Sequence, residues 1–185
     1  MTKEAIRQAA LKRFAKQGYD ATSMTEIAGD ISVKAPAIYA HFKGKTELYI
    51  ELVHGVLMKE LSHIRYFLNK DGEATGVLLH FLQDMGPRFE TTPHLRFLLN
   101  VYYLPPPKMT ALLVPVLEEY NANREIIIND VFKRLPPCRV PPGQLAAAYL
   151  GIIDSIQAEI LYGGMDKFKK RLEALWQLFR LAFEQ

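Results

Sequence analysis

The chain has 185 residues, 49% of them hydrophobic and 23% charged, with a net charge of +3. This is the composition of a globular chain of one ordinary domain, or of a small domain joined to a larger one. A single cysteine, Cys138, excludes a disulfide framework and a cysteine-based zinc site, and no apolar run approaches the ~20 residues that span a bilayer.

The N-terminus is charged every few residues, unlike a signal peptide, so the expected location is the reducing cytoplasm, with no membrane partner. Up to Lys45 there are eight basic and four acidic residues, against 15 and 16 in the remainder. The head is basic and the body close to neutral, which suits either a solvated helix face or a polyanion-binding surface.

In chain order the pattern is helical throughout. Thr2 to Gln17 places Ile6, Ala9, Ala10, Leu11 and Phe14 at three-and-four spacing, and Gly18 closes it. Ser23-Met24-Thr25-Glu26 is a capping-box pattern, predicting a helix from Met24 to about Asp30. Pro36 fits the first turn of a third short helix running to about His41. The body follows as six longer helices: Thr46 to about Asn69, Glu73 to Phe89, Pro93 to about Tyr103, Lys108 to Leu135 with an early kink at Pro115, Gln144 to Tyr162, and Asp166 to Glu184. Pro136-Pro137 and Pro141-Pro142 bracket a loop. The fold class is therefore all-α, about nine helices. The expected division is a basic head of three short helices over residues 1–45 and a helical body over 46–185.

Three short helices at the basic end suggest a helix-turn-helix, whose second paired helix enters the major groove. The stretch VKAPAIYAHFKGKTEL, Val33 to Leu48, supplies that helix. Ile38 would pack on Ile27 and Ala28, leaving Lys34, Ala35, Pro36, Ala37, Tyr39 and His41 toward DNA. Lys45, at the start of the next helix, suits a phosphate.

These residues resemble the tetracycline-repressor-like (TetR) family of bacterial transcription regulators. The resemblance covers about Ile6 to Leu52 and rests on Gly18-Tyr19, Thr22-Ser23, Ile27-Ala28, Ile38-Tyr39-Ala40-His41-Phe42 and Lys45-Thr46-Glu47-Leu48. It adds Thr22, Ser23 and Thr25 to the expected DNA contacts. Where the family commonly has Gly-Val-Ser-Lys-Gly-Thr, this chain has Ser32-Val33-Lys34-Ala35-Pro36-Ala37. Lys34 cannot accept a bond from the helix amides, and Ala35 and Ala37 have no donor for a base edge. Direct readout is expected to be sparse, with thymine methyl contact and DNA shape carrying more of it.

In the body, Ala147, Gly151, Ser155 and Ala158 form a small-residue stripe, and the last helix carries Leu172, Trp176 and Phe179. An intrachain hairpin explains both. The resemblance implies instead a symmetric four-helix homodimer interface, and hence a palindromic double-stranded DNA operator. An effector pocket for a small lipophilic molecule is expected from His54, Met58, Phe81, Met85, Phe97, Tyr103, Tyr120, Arg124 and Gln157. Arg124 lies on an apolar stripe, where it could snorkel, pair with an internal acid, or meet an anionic or carbonyl-bearing ligand.

The expected function is a ligand-responsive transcriptional repressor released by that effector. A protein of the same fold tuned by a protein partner is the alternative. An enzyme is not expected. Gly44-Lys45-Thr46 ends like a phosphate loop, but Tyr39 stands where that loop needs glycine. Glu51 with His54, or His80 with Asp84, makes only half a metal site. No metal and no cofactor are expected.

Overall fold

The computed structural model describes residues 2–136 and 138–183. Pro137, in the predicted proline loop, and Glu184, the predicted end of the last helix, lie outside the described residues. Among the described residues there are nine α-helices and no strand. They are α1 Lys3–Gln17, α2 Met24–Asp30, α3 Ala35–Tyr39, α4 Lys45–Leu68, α5 Ala74–Thr91, α6 Pro93–Tyr103, α7 Thr110–Lys133, α8 Pro142–Tyr162 and α9 Met165–Arg180.

The ends follow the local chemistry. Thr2 Oγ1 accepts from the Ala5 amide, and Gly18 closes α1 at φ 77°, a conformation glycine adopts without strain. At Ser23 the capping box is complete: its Oγ accepts from the Glu26 amide at 3.1 Å, and Glu26 Oε2 accepts from the Ser23 amide at 2.8 Å. Three ends differ from expectation. Pro107–Met109 forms a 3₁₀ turn, so α7 begins at Thr110, and it runs through Pro115. Helix α5 runs through Pro87 to Thr91. The last helix gives way to a 3₁₀ turn at Leu181–Phe183.

The chain forms two compact units, residues 1–59 with 91–117, and residues 60–90 with 118–185. In the first, α1 packs along α6. Phe14 is the pivot, with Tyr49 edge-on at 5.0 Å and Phe97 at 6.3 Å between ring centroids. Asn100 Nδ2 donates to the Ala15 carbonyl at 3.2 Å, so a polar side chain also joins these helices. Ile6, Ile27, Ala28, Ile38 and Leu48 are at most 1% exposed and fill the space under the short helices.

In the second unit α8 packs on α9. Tyr149 is fully buried and donates its hydroxyl to the Leu78 carbonyl at 2.8 Å. Glu60, itself buried, receives both Nη atoms of Arg88, and Asp84 accepts from His63 at 3.0 Å. Removing one member of a buried bidentate pair strands the other charge, so α4 and α5 are firmly tied. Helix α8 corrects one expectation. Its 21 residues are long and apolar enough to cross a membrane by length and composition alone. Leu145, Ile152, Ile153, Ile156 and Ile160 are instead buried in the unit.

Phe14→Ala should lower stability by about 3–5 kcal/mol, because the large core ring leaves a cavity. Urea unfolding followed by circular dichroism checks this.

Candidate nucleic-acid interface

The turn between α2 and α3 is built from backbone bonds. The amides of Ile31 and Val33 both donate to the Ala28 carbonyl, at 3.2 and 3.0 Å, and Ser32 donates to Gly29 at 3.1 Å. Closing the chain this way requires Ser32 to adopt φ 55°, the left-handed region that glycine occupies freely. Lys34 stands at the N-cap of α3 in extended conformation and makes no side-chain cap bond. Both departures noted in the sequence therefore carry a structural consequence. The paired helices hold because Ile27, Ala28 and Ile38 interlock in the core.

Arg13 on α1 fixes α2 from the other side. Its Nε and Nη2 meet Asp30 at 2.5 and 2.7 Å, and its Nη1 meets Glu26 at 3.0 Å. The bond from Arg13 holds the Asp30 carboxyl below the usual aspartate range, against the smaller effect of burial. Glu51 does the same service between α4 and α1. Burial would raise its pKa, but bonds from Lys3 and Arg7 together lower it.

The candidate DNA contacts divide into outward and inward groups. Thr25, Lys34, Pro36, Tyr39 and His41 are exposed, Tyr39 by 53%, and Ala35 and Ala37 are half-buried. Ser23 is exposed, with its hydroxyl engaged in the cap. Two expectations need correction. Thr22 is buried, and its hydroxyl donates to the Gly18 carbonyl at 2.8 Å. Lys45 Nζ donates to the carbonyls of Tyr19 and Thr22, both at 2.8 Å, and lies 4.2 Å from the Tyr19 ring centroid. Its first role is to hold the loop between α1 and α2 against the start of α4. Tyr19 was missed as a positioning residue, although its hydroxyl also bonds Thr46 Oγ1 at 2.8 Å.

The arrangement presents a short helix, α3, with the exposed phenol of Tyr39, imidazole of His41 and ammonium groups of Lys34 and Lys43 on or next to it. That surface suits a duplex groove.

Residues 6–52 match the family described as bacterial regulatory proteins, tetR family. That match lies in the N-terminal head, which is the part of the chain similar in sequence to the TetR family. The head resembles the HTH-type transcriptional regulator AcrR of Shigella flexneri, 43% identical over 51 residues. That match covers 28% of this chain and spans only 24% of the relative's length. The fold resembles the FadR transcriptional regulator of Bacillus subtilis, solved in complex with stearoyl-CoA, with TM-score 0.70 and 15% identity over 96% of this chain and 97% of that one. It also resembles SmeT, repressor of the Stenotrophomonas maltophilia multidrug efflux pump SmeDEF, with TM-score 0.68 and 14% identity over 98% of this chain and 90% of that one.

The expected effector residues sit in varied surroundings. Phe97 and Tyr103 belong to the first unit with His54 and Met58, and the other five to the second. Phe81, Met85, Phe97, Tyr120 and Gln157 are buried, and Tyr103 is half-buried. His54 is exposed and Met58 is 62% exposed, so neither joins the core of its own unit. Arg124 is buried and its Nη1 bonds Asp154 Oδ1 at 2.8 Å, so of its three expected roles the one seen is pairing with an acid. The half metal sites are also engaged elsewhere, Glu51 with Lys3 and Arg7, and Asp84 with His63.

On the expected dimer face, Ala147 and Gly151 are exposed and Ser155 and Ala158 half-buried. Leu172, Trp176 and Phe179 are a correction: all three are buried in their own unit, with Phe179 5.8 Å from the Tyr149 ring centroid. The large apolar residues that α9 and its terminal turn show outward are Leu178, 70% exposed, and Leu181, 52%.

Lys45→Ala should lower stability by roughly 1.5–3 kcal/mol through the loss of charged hydrogen bonds to two loop carbonyls. Lys34→Ala should instead leave the melting temperature nearly unchanged and flatten the salt dependence of DNA binding by about one unit. Thermal melts and gel-shift titrations at several salt concentrations separate the two. Arg13→Gln should lower the melting temperature at neutral pH. A depressed Asp30 stabilises the fold above the ordinary aspartate range, and that stabilisation is lost as pH falls through its lower folded value. The variant should therefore show a shallower decline in melting temperature below about pH 4.

Proposed function

We propose that this chain is a ligand-responsive transcriptional repressor that binds a palindromic operator as a homodimer, in the cytoplasm where the chromosome lies. The observation that carries the dimer is the unfilled face of α8 and α9. A groove of about 440 Å³ runs along it, with Ala148, Gly151, Ser155, Leu175, Leu178 and Ala182 in its walls. A Cβ built on Gly151 meets nothing within 4 Å, so the small-residue stripe leaves room for a second helix to approach closely. A twofold axis through this face would set two heads on one duplex.

Release by a lipophilic effector is the finer part of the reading. The stearoyl-CoA bound to the structurally similar FadR protein and the repressor role of SmeT favour it by analogy of fold. This chain offers a surface groove of about 610 Å³ between α5 and α9, within the size range of small-molecule sites. Leu79, Pro87, Met165, Phe168 and Trp176 give it an apolar lining. The two helices approach so closely at Gly86 that a Cβ there would stand 2.9 Å from Phe168 Cε1. The ion pair of Arg124 with Asp154 gives that guanidinium a partner within the chain, so it supplies no argument for an anionic effector; in the second reading a protein partner and not a small molecule controls the regulator.

Gly151→Trp should convert the dimer to a folded monomer, because the ring meets open space within its own chain and the partner's helix outside it. Analytical ultracentrifugation at micromolar concentration checks this, and a monomeric wild type would contradict the dimer. Trp176 is the sole tryptophan, so its fluorescence reports on the α5–α9 groove. A lipophilic compound that quenches Trp176, raises the melting temperature and releases DNA supports the effector. A broad lipophilic panel that does none of these supports the partner-controlled reading.

A further inference from the structure

The outward side of α3 is chemically uniform. Its five residues are Ala35, Pro36, Ala37, Ile38 and Tyr39. Ile38 is fully buried, so it reads nothing. Pro36 is exposed and Ala35 and Ala37 are half-buried. The first residues of such a helix are the ones that reach base edges. Hydrogen-bonded readout of a base edge needs a guanidinium, ammonium, amide, carboxylate or hydroxyl. Ala35, Pro36 and Ala37 offer only methyl and methylene groups.

Polar side chains lie around that apolar tip and not on it. Tyr39 carries the only side-chain polar atom of α3, at its last turn. Thr22 and Ser23 have their hydroxyls in internal bonds, and Lys45 is bonded to two carbonyls. Lys34, Thr25, His41 and Lys43 are exposed on either side of the helix. Such a ring of cationic and hydroxyl groups suits phosphates, which position a protein without specifying sequence.

The major groove presents one apolar feature that a methyl group can meet, the C5-methyl of thymine, and a methylated cytosine presents the same group. We propose that this regulator reads its site through pyrimidine 5-methyl groups, with Pro36 and Ala37 as the specificity-determining residues. The inference rests on the DNA-binding reading above. Purine edges at the same positions expose acceptors and amino groups that alanine and proline leave unsatisfied, so they are disfavoured by desolvation. Uracil and unmethylated cytosine leave a gap where the methyl would sit.

The test uses the full chain and three random duplex libraries of one design. One contains thymine, one has deoxyuridine in place of thymidine, and one has 5-methylcytosine in place of cytosine. The thymine library should converge on a motif with thymine at the positions facing α3. The selected sequence remade with uracil should bind roughly fourfold more weakly per methyl group lost, or roughly sixteenfold for a symmetry-related pair. The third library should also accept 5-methylcytosine at those positions. Ala37→Gly should narrow the thymine-over-uracil ratio. The wild-type ratios stand on their own if that variant fails to fold. Convergence of the uracil library on the same motif with the same affinity would overturn the methyl readout while leaving DNA binding intact. Failure of all three libraries to converge would overturn the DNA-binding reading together with this one.

Discussion

The Lys45 ammonium, bonded to the carbonyls of Tyr19 and Thr22 and resting on the Tyr19 ring, is the constraint on which the head depends. Two loop carbonyls between α1 and α2 lose water there, and one cation satisfies both. The loop then delivers Ser23 to the start of α2, where the capping box sets the helix. With α2 fixed, Ile27 and Ala28 define the surface on which Ile38 must seat, and that seat decides what α3 shows to the outside. Arg13 and Glu51 brace the same frame with charge pairs. The exposed character of Tyr39 and His41 is thus the far end of a chain of buried and half-buried contacts.

The same frame accounts for the tolerated departures in the turn. Ser32 takes a left-handed backbone that a side chain disfavours by roughly 1–2 kcal/mol. Lys34 gives no cap bond to a five-residue helix. A helix this short has little stability of its own, so α3 is held by Ile38 and by the bonds of the turn. What the cap position loses in local stability it gains as an exposed ammonium beside the apolar tip of α3.

Much of the fold was legible in the sequence because its signals are local. Gly18, the Ser23–Glu26 box, Pro36 and Thr92-Pro93 each mark a helix end by chemistry confined to a few residues, and the structure places ends there within one or two positions. On α8, buried Ile152, Ile153 and Ile156 lie off the small-residue stripe, whose Ala147 and Gly151 are exposed. The misses are contacts between distant residues. Lys45 and Tyr19 are 26 positions apart, and Arg124 and Asp154 are 30 apart. No local pattern tells a phosphate-seeking lysine from one that ties a loop. Nor does it tell a ligand-seeking arginine from a paired one. On α9, Trp176 and Phe179 drew attention by size, yet size favoured their burial, and the smaller Leu178 was left outside.

The proposed function requires two copies of α3 on one side of a duplex. Hydroxyl-radical footprinting on fragments selected from the organism's own genome tests this most directly. The account predicts two protected patches on one face of the DNA, related by a twofold axis and roughly one helical turn or slightly more apart. A single unpaired patch, or protection that does not depend on sequence, would contradict it.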